Sequence, residues 1–307
     1  MSNQADEPMR KRFLLLHNAV AGLRRHRLVR LVVAELKKRG AEVVTLRLSG
    51  LGQNLSQEAL ARIVHYDGFD AVVAAGGDGT IRALAKALGP NAPVPIGVIP
   101  VGTGNVLARE LPLPHHAAEV AEMLLNGNEI EIVGAHAGEE PFYLMAGIGF
   151  DGEIINNLNL EVKRRVGKAA YVWPTLKALS HKPRPFEVVI DGKKFETTWL
   201  VATKSSRYAG SFTLVSGLHV RDKKMVVVLL QARTRWQRIF ELAALGLGLV
   251  ERLPGISIHT CRSSIEVMES GLPIEIDGDE AGFSPVTISL GNGPMRLIVP
   301  AEAKPDY

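Results

Sequence analysis

The chain of 307 residues has one cysteine, Cys261, which rules out an internal disulfide and suits a reducing compartment. Long apolar runs are missing too. The longest, Ile239 to Val250, is interrupted by Glu241 and falls short of the roughly 20 residues that a membrane-crossing helix requires. No secretory leader is legible, since Met1 to Glu7 is polar and Phe13 to Leu16 is too short, so a cytoplasmic protein is expected. Aromatic residues are scarce, at 6%, and do not interleave with the basic clusters, which argues against nucleic acid as a partner. Neither sign of charge dominates, because 36 Lys and Arg against 32 Asp and Glu leave a formal net charge of +4. No Gly-x-x-x-x-Gly-Lys-Ser/Thr occurs, so the common P-loop is excluded. Internal repeats and low-complexity linkers are absent as well. What remains, 46% apolar and 22% charged residues, describes a folded chain long enough for two separate cores.

The informative stretch is Gly76-Gly77-Asp78-Gly79-Thr80. Before it runs Ala71-Val72-Val73-Ala74-Ala75, which reads as a buried strand; after it, Ile81 to Leu88 reads as a helix stopped by Gly89-Pro90. Glycines on a strand-to-helix turn let backbone approach a bulky anion, and the first helical N–H groups have no partner of their own. That points to a phosphate site. Asp78 beside phosphate makes sense if it meets Mg2+ or orders water around it. The plainer reading is a flexible turn. Three basic clusters, Arg10-Lys11-Arg12, Arg24-Arg25-His26-Arg27 and Lys163-Arg164-Arg165, read equally as solvated faces or as contacts for anionic lipid.

Strand and helix alternate over the first 130 residues: strands at Phe13–Leu16, Glu42–Leu48, Ala71–Ala75 and Pro95–Pro100, helices at Leu23–Arg39, Ser56–Val64 and His115–Leu125. Such alternation predicts a parallel sheet, whose ligands bind beyond the carboxyl ends of its strands. Both Gly76–Thr80 and Gly102-Thr103-Gly104-Asn105 lie there. Later the texture turns to strand pairs: Phe186–Ile190 with Phe195–Val201 around Asp191-Gly192, Ile274–Ile276 before Asp277-Gly278, and Val286–Leu290 with Met295–Val299 around Gly291-Asn292-Gly293. A second, mostly antiparallel domain built as a sandwich is expected, with a soft boundary near Gly127 to Ile132.

Three segments in order, Gly76-Gly77-Asp78-Gly79-Thr80, Pro100-Val101-Gly102-Thr103-Gly104-Asn105 and Gly147-Ile148-Gly149-Phe150-Asp151-Gly152, resemble the diacylglycerol kinase catalytic-domain family, which includes sphingosine kinases and bacterial lipid kinases. The likeness runs from about Phe13 to Pro300; Ile96 to Leu111 is its most specific piece, and Lys163 to Tyr171 resembles the family's basic segment. It implies an α/β fold: an N-terminal nucleotide-binding domain with a parallel sheet (1–130) and a C-terminal β-sandwich lipid-substrate domain (131–307), the last strand free to return to the first domain. The active site is expected in the interdomain cleft.

The resemblance further implies an ATP-dependent, Mg2+-assisted lipid kinase working at an anionic membrane surface without spanning it. Gly76, Gly77, Asp78, Gly79, Thr80, Ile81 and Arg82 hold the ATP phosphates, with Gly102, Thr103, Gly104 and Asn105 as a second nucleotide contact. Thr45 matches the adenine-side threonine, and Asn18 and Gly22 match an Asn-Pro-x-x-Gly loop in which Ala19 replaces Pro. The family's base lies in an Asp-Gly-Glu; here Ile276-Asp277-Gly278-Asp279-Glu280 puts Asp279 at that place and Glu280 beside it. Without the likeness, Asp-Gly is an ordinary hairpin turn. Asp222, with the carbonyls of His219 and Lys224, matches a structural Mg2+ site in which Lys223 stands for the usual Gly. Asp151, within a literal Gly-x-Gly-x-x-Gly, is expected in the cleft rather than at a dinucleotide. The Arg235–Val250 helix, with Trp236, Ile239, Phe240, Ala243 and Leu247, reads as a core helix or as an interface contact. Two rivals remain. NAD kinases share Gly-Gly-Asp-Gly and add an Asn-Glu, present here as Asn128-Glu129, and a catalytically inactive nucleotide-binding regulator would tolerate the departures at Ala19, Lys223 and Asp279.

Overall fold

The computed structural model describes residues 9–18, 23–48, 64, 67–208 and 212–301. They fall into two compact units, Met1–Ile132 with Gly293–Tyr307, and Val133–Asn292. Among the described residues no helix is long and apolar enough to cross a membrane.

The first unit alternates β1 (Arg12–Asn18), α1 (Leu23–Lys38), β2 (Glu42–Leu48), β3 (Ala71–Gly76), α2 (Asp78–Leu88), β4 (Ile96–Pro100), α3 (Val106–Glu110) and α4 (Ala117–Asn126). Its strands are parallel in the order β2-β1-β3-β4. Residues 71–75 of β3 and all of β4 are buried, so their unbroken apolar runs reflect a sheet covered on both faces. Gly97 lets α4 settle on β4, since a Cβ there would lie 2.3 Å from Leu124 Cδ2. Helix α2 buries Ile81, Leu84, Ala85 and Leu88, the spacing of one helical face, and it starts at Asp78 rather than Ile81. The glycine turn therefore supplies the helix's own first turn. The helix expected over 56–64 lies, but for Val64, outside the described residues.

The strand β5 (Asn128–Ala137) leads into the second unit, followed by β6 (Glu140–Phe142), β7 (Met145–Gly149), α5 (Phe150–Asn156), α6 (Leu160–Val166), α7 (Val172–Ser180), β8 (Phe186–Ile190), β9 (Lys193–Thr197) and β10 (Trp199–Thr203). After these come β11 (Arg207–Tyr208), β12 (Phe212–Thr213), β13 (Met225–Leu230), α8 (Arg235–Leu247), β14 (Ile256–Cys261), β15 (Ser264–Val267), β16 (Pro273–Ile276), β17 (Asp279–Phe283) and β18 (Val286–Val299). One antiparallel sheet runs β14-β13-β10-β7-β16-β17, and β8 and β15 join β9 and the start of β18 in another. Alternate residues of both (Phe186, Val188 and Ile190; Met225, Val227 and Leu229) share one core, which makes this unit a β-sandwich.

Two strand expectations need correction. The run Phe195–Val201 is not one strand: β9 and β10 belong to different sheets, and the chain crosses at Thr198, whose N–H donates to Leu230 O at 3.0 Å. Nor do Val286–Leu290 and Met295–Val299 form a hairpin. The single strand β18 runs through Gly291-Asn292-Gly293, pairing first with β15 and then, at Leu297, in parallel with Ile96 of β4. These glycines serve close approach rather than turning: a Cβ on Gly293 would lie 2.5 Å from Pro90 Cβ, and one on Gly291 3.1 Å from the His136 ring.

Candidate functional site

In the first unit, parallel pairing brings the ends of β1, β3 and β4 to one edge, so Asn18, Gly76-Gly77 and the Pro100–Asn105 turn all leave the sheet on the carboxyl side. Gly76 admits the buried Thr80, whose Oγ1 sits 2.1 Å from where a Gly76 Cβ would be. The two glycine turns then touch backbone to backbone, for a Cβ on Gly102 would lie 2.3 Å from Gly77 Cα. Val101 N–H donates to Gly76 O at 3.1 Å, and the Asp78 carboxylate accepts from Val106 N–H and Leu107 N–H, each at 3.0 Å. A carboxylate on the first amides of α3 is a cap supplied from another helix. Asp78 thus clamps one turn to the other. Asn105, at φ 49°, donates its amide to Gly102 O at 3.1 Å and to Pro100 O at 3.3 Å. Its buried Oδ1 has no hydrogen-bond donor among the described residues. Gly79 and Arg82 lie in the first turns of α2, and Gly104 packs beside the Asp78 carboxylate. Thr45 is exposed in the middle of β2, paired with Leu15, and Gly22 lies outside the described residues.

In the second unit, Asp277 and Gly278 form the two-residue turn joining β16 to β17, both with positive φ (49° and 85°). The Asp277 carboxylate accepts from the N–H groups of Tyr143, Leu144 and Met145, each at 3.0 Å, and so fixes the hairpin to β7. Asp279 is half-buried at the start of β17 and Glu280 is exposed. Lys163 of α6 donates to Gly278 O at 3.2 Å, which brings an ammonium to this turn.

Behind the hairpin lies a carboxylate the sequence reading passed over. Glu275 of β16 is buried; its Oε2 accepts from Gly278 N–H at 2.9 Å, while Oε1 has no hydrogen-bond partner among the described residues. Asp151, expected to line a cleft, is buried as well: Trp199 Nε1 donates to it at 2.9 Å and the Tyr208 hydroxyl donates to its other oxygen. The surrounding glycines explain the Gly-x-Gly-x-x-Gly. A Gly147 Cβ would lie 2.5 Å from Asp151 Oδ2, and a Gly152 Cβ 2.0 Å from Pro273 O. The motif packs a carboxylate and a helix, not a dinucleotide. Burial pushes Asp151 up to about 6, against the pull of Tyr208, Trp199 and Arg238. Burial first, then Asp151, drives Glu275 well above the ordinary carboxylate range. Within a dry sandwich the pair favours a bound proton.

His219, Asp222 and Lys224 do stand together, but their oxygens are engaged by the chain. Asp222 N–H donates to His219 O at 2.9 Å, and the Asp222 carboxylate takes His219 N–H at 3.2 Å and Lys224 Nζ at 3.4 Å. Lys204 Nζ donates to the carbonyls of Asp222 and Lys224. A divalent ion there would face two ammonium groups, so the residues do not fit the structural Mg2+ that the resemblance implies. Burial lowers Lys204 to about 8, with Asp222 opposing the shift.

The helix α8 turns its aromatic stripe outward, which corrects the core-helix reading. Trp236 is 74% exposed and Phe240 68%, while Arg238, Glu241, Ala244 and Leu245 face inward. The inward ion pair, Arg238 Nη1 to Glu241 Oε2 at 3.0 Å, is completed by Thr198 Oγ1 and Ala232 N–H. Helix α7, packed against α8, exposes Val172, Trp173 and Leu176. Exposed Arg165, Lys177 and Arg235 accompany these apolar groups. By contrast Arg10 is buried, bound to Gly127 O and Glu129, and Arg12 pairs with Glu42, so the two arginines of that cluster are committed within their own unit. Glu129 also holds Arg296 at 3.1 Å, and Asn128 donates to Ala301 O at 3.0 Å; the Asn-Glu pair is structural here.

Residues 12–136 match the family model of the diacylglycerol kinase catalytic domain, and residues 145–299 match that of the YegS C-terminal NAD kinase beta sandwich-like domain. The chain is 28% identical over 302 residues to a Pseudomonas putida protein named "Probable lipid kinase YegS-like", covering 95% of this chain and 96% of that one. It is 27% identical over 278 residues to a Mycobacterium tuberculosis protein named diacylglycerol kinase, covering 87% and 88%. A crystal structure of a diacylglycerol kinase from Bacillus anthracis shares the fold, with a TM-score of 0.72 at 19% identity over 95% of this chain and 97% of that one.

Proposed function

Because the chain belongs to the diacylglycerol kinase catalytic-domain family, we propose that it is an ATP-dependent lipid kinase. The observation that carries this reading is the clamp of Asp78 across two glycine turns at the start of α2, a rigid backbone cradle for phosphate. Amides of the α2 first turn and the Gly102–Asn105 turn hold the ATP phosphates, Arg82 adds charge, and Asn18, Gly22 and Thr45 serve the nucleoside end. Mg2+ accompanying the nucleotide would have Asp78 as its neighbouring carboxylate and would supply neutralisation of phosphate charge.

The acceptor is a hydroxyl of a diacylglycerol-, sphingoid- or phosphatidylglycerol-like lipid. Asp279 takes the hydroxyl proton as the lipid oxygen bonds to the γ-phosphorus, the bond from that phosphorus to the bridging oxygen breaks, and ADP leaves. Asp277 fixes the turn that presents Asp279, and Lys163 holds its other side. The enzyme meets its substrate at the cytoplasmic face of an anionic membrane, through the exposed aromatic residues of α7 and α8 with their basic neighbours. The test is transfer of label from ATP, with Mg2+, to mixed micelles of the three lipid classes. Asp279→Asn is expected to lower kcat by about 100-fold or more, Glu280→Gln to stay near wild type, and Asp78→Asn to raise the KM for ATP. Loss in Glu280→Gln alone would move the base to Glu280. Label entering NAD, or ATP binding without transfer to any acceptor, would replace the lipid-kinase reading.

A further inference from the structure

Lys204 is among the largest side chains to be completely buried, and it follows directly on β10, anchored by its N–H to Leu144 O at 2.8 Å. An aliphatic stem through the core with its ammonium on backbone oxygens is a costly arrangement unless that charge is used. The oxygens are those of the β12–β13 connection. Its apolar residues Leu214, Leu218 and Val220 are sunk in the unit, and its polar turn at His219–Lys224 folds back over the end of β10. Three groups of that turn would suit a cation: the carbonyl of His219, the carbonyl of Lys224 and the carboxylate of Asp222. Each already has a proton donor. Asp222 N–H takes the first, Lys204 Nζ takes the second at 2.9 Å and also the Asp222 carbonyl, and His219 N–H with Lys224 Nζ takes the third.

We propose that the Lys204 ammonium is the structural cation of this loop, carried by the chain in place of a bound divalent ion. A tethered monovalent charge satisfies carbonyls and offsets Asp222 as an ion would, but its occupancy does not depend on the divalent concentration. The second unit then folds without metal. Any metal requirement of the protein belongs to its nucleotide alone. The inference stands apart from the kinase reading and would survive its failure.

The test uses the full chain without nucleotide or lipid, comparing Tm in EDTA with Tm in millimolar Mg2+. Wild type should show the same Tm in both and carry no stoichiometric metal after dialysis. Lys204→Met, which keeps the stem and removes the charge, should melt lower by about 5 °C or more in EDTA, and Mg2+ should return part of the loss by entering the vacated site. Should Lys204→Met not fold, wild type and Asp222→Asn decide. A saturable rise of the wild-type Tm with Mg2+ that Asp222→Asn abolishes would overturn the proposal. So would Lys204→Met with the wild-type Tm in EDTA.

Discussion

Glu275, Asp277 and Asp279 stand at alternate positions of one hairpin, yet the chain uses them differently. Asp277 spends its charge on three amides and is a fastener. Asp279 is half-buried at the start of β17. Glu275 is sealed in with Asp151; burial raises the proton affinity of both, and Asp151 raises that of Glu275 further. The pH consequence has a definite sign. A carboxyl whose folded pKa lies above its unfolded one stabilises the fold fully below the unfolded value, near 4, and loses that contribution as pH rises through the folded value. For Asp151 the loss runs from about pH 4 to about 6, and Glu275 extends it higher. Glu275→Gln removes one of the two ionisations and keeps the shape. It should therefore match wild type near pH 5 and exceed its Tm by several degrees at pH 8. Parallel Tm curves for the two proteins from pH 5 to 8 would mean that Glu275 does not titrate against the fold.

At the scale of elements, what the sequence disclosed depended on how local the cause was. The strand–glycine turn–helix at β3 and α2 was legible because its determinants are neighbours in the chain. The apolar stripe of α8 was legible as a stripe, but spacing does not say which side meets solvent, and here Arg238 and Glu241 go inward as an ion pair. Lys204 and Glu275 gave no signal at all, because their partners, Lys224 and Asp151, are remote in sequence. The outward stripe has a testable use. An aromatic side chain moved from water into an apolar boundary contributes about 1.5–3 kcal/mol, so Trp236→Ser with Phe240→Ser should weaken binding to anionic vesicles by about 100-fold or more. Tm should hardly change, since neither side chain is buried. Unchanged sedimentation with vesicles would assign the stripe to something other than lipid.

At the scale of the molecule, the two units are not consecutive segments, because β18 serves both in turn. Its second half belongs to the first unit, where Met295, Leu297, Ile298 and Val299 are all buried. Arg296 binds Glu129 and the carbonyls of Ala92 and Pro93, the last at 2.7 Å. Gly127 leaves room for the strand's end, where a Cβ would lie 2.3 Å from Val299 O. Burying four such side chains contributes on the order of 6–12 kcal/mol, as much as the whole stability of a typical domain. The strand also covers the edge of β4, whose backbone would otherwise be open to pairing with other chains. Residues 1–132 expressed alone should therefore aggregate or melt without a cooperative transition. The same fragment with residues 293–301 appended through a Gly/Ser linker should recover a sharp thermal transition. If the unextended fragment melted at the same temperature as the extended one, β18 would be a passenger on the first unit, and the gap in the sequence of that unit would carry no energetic meaning.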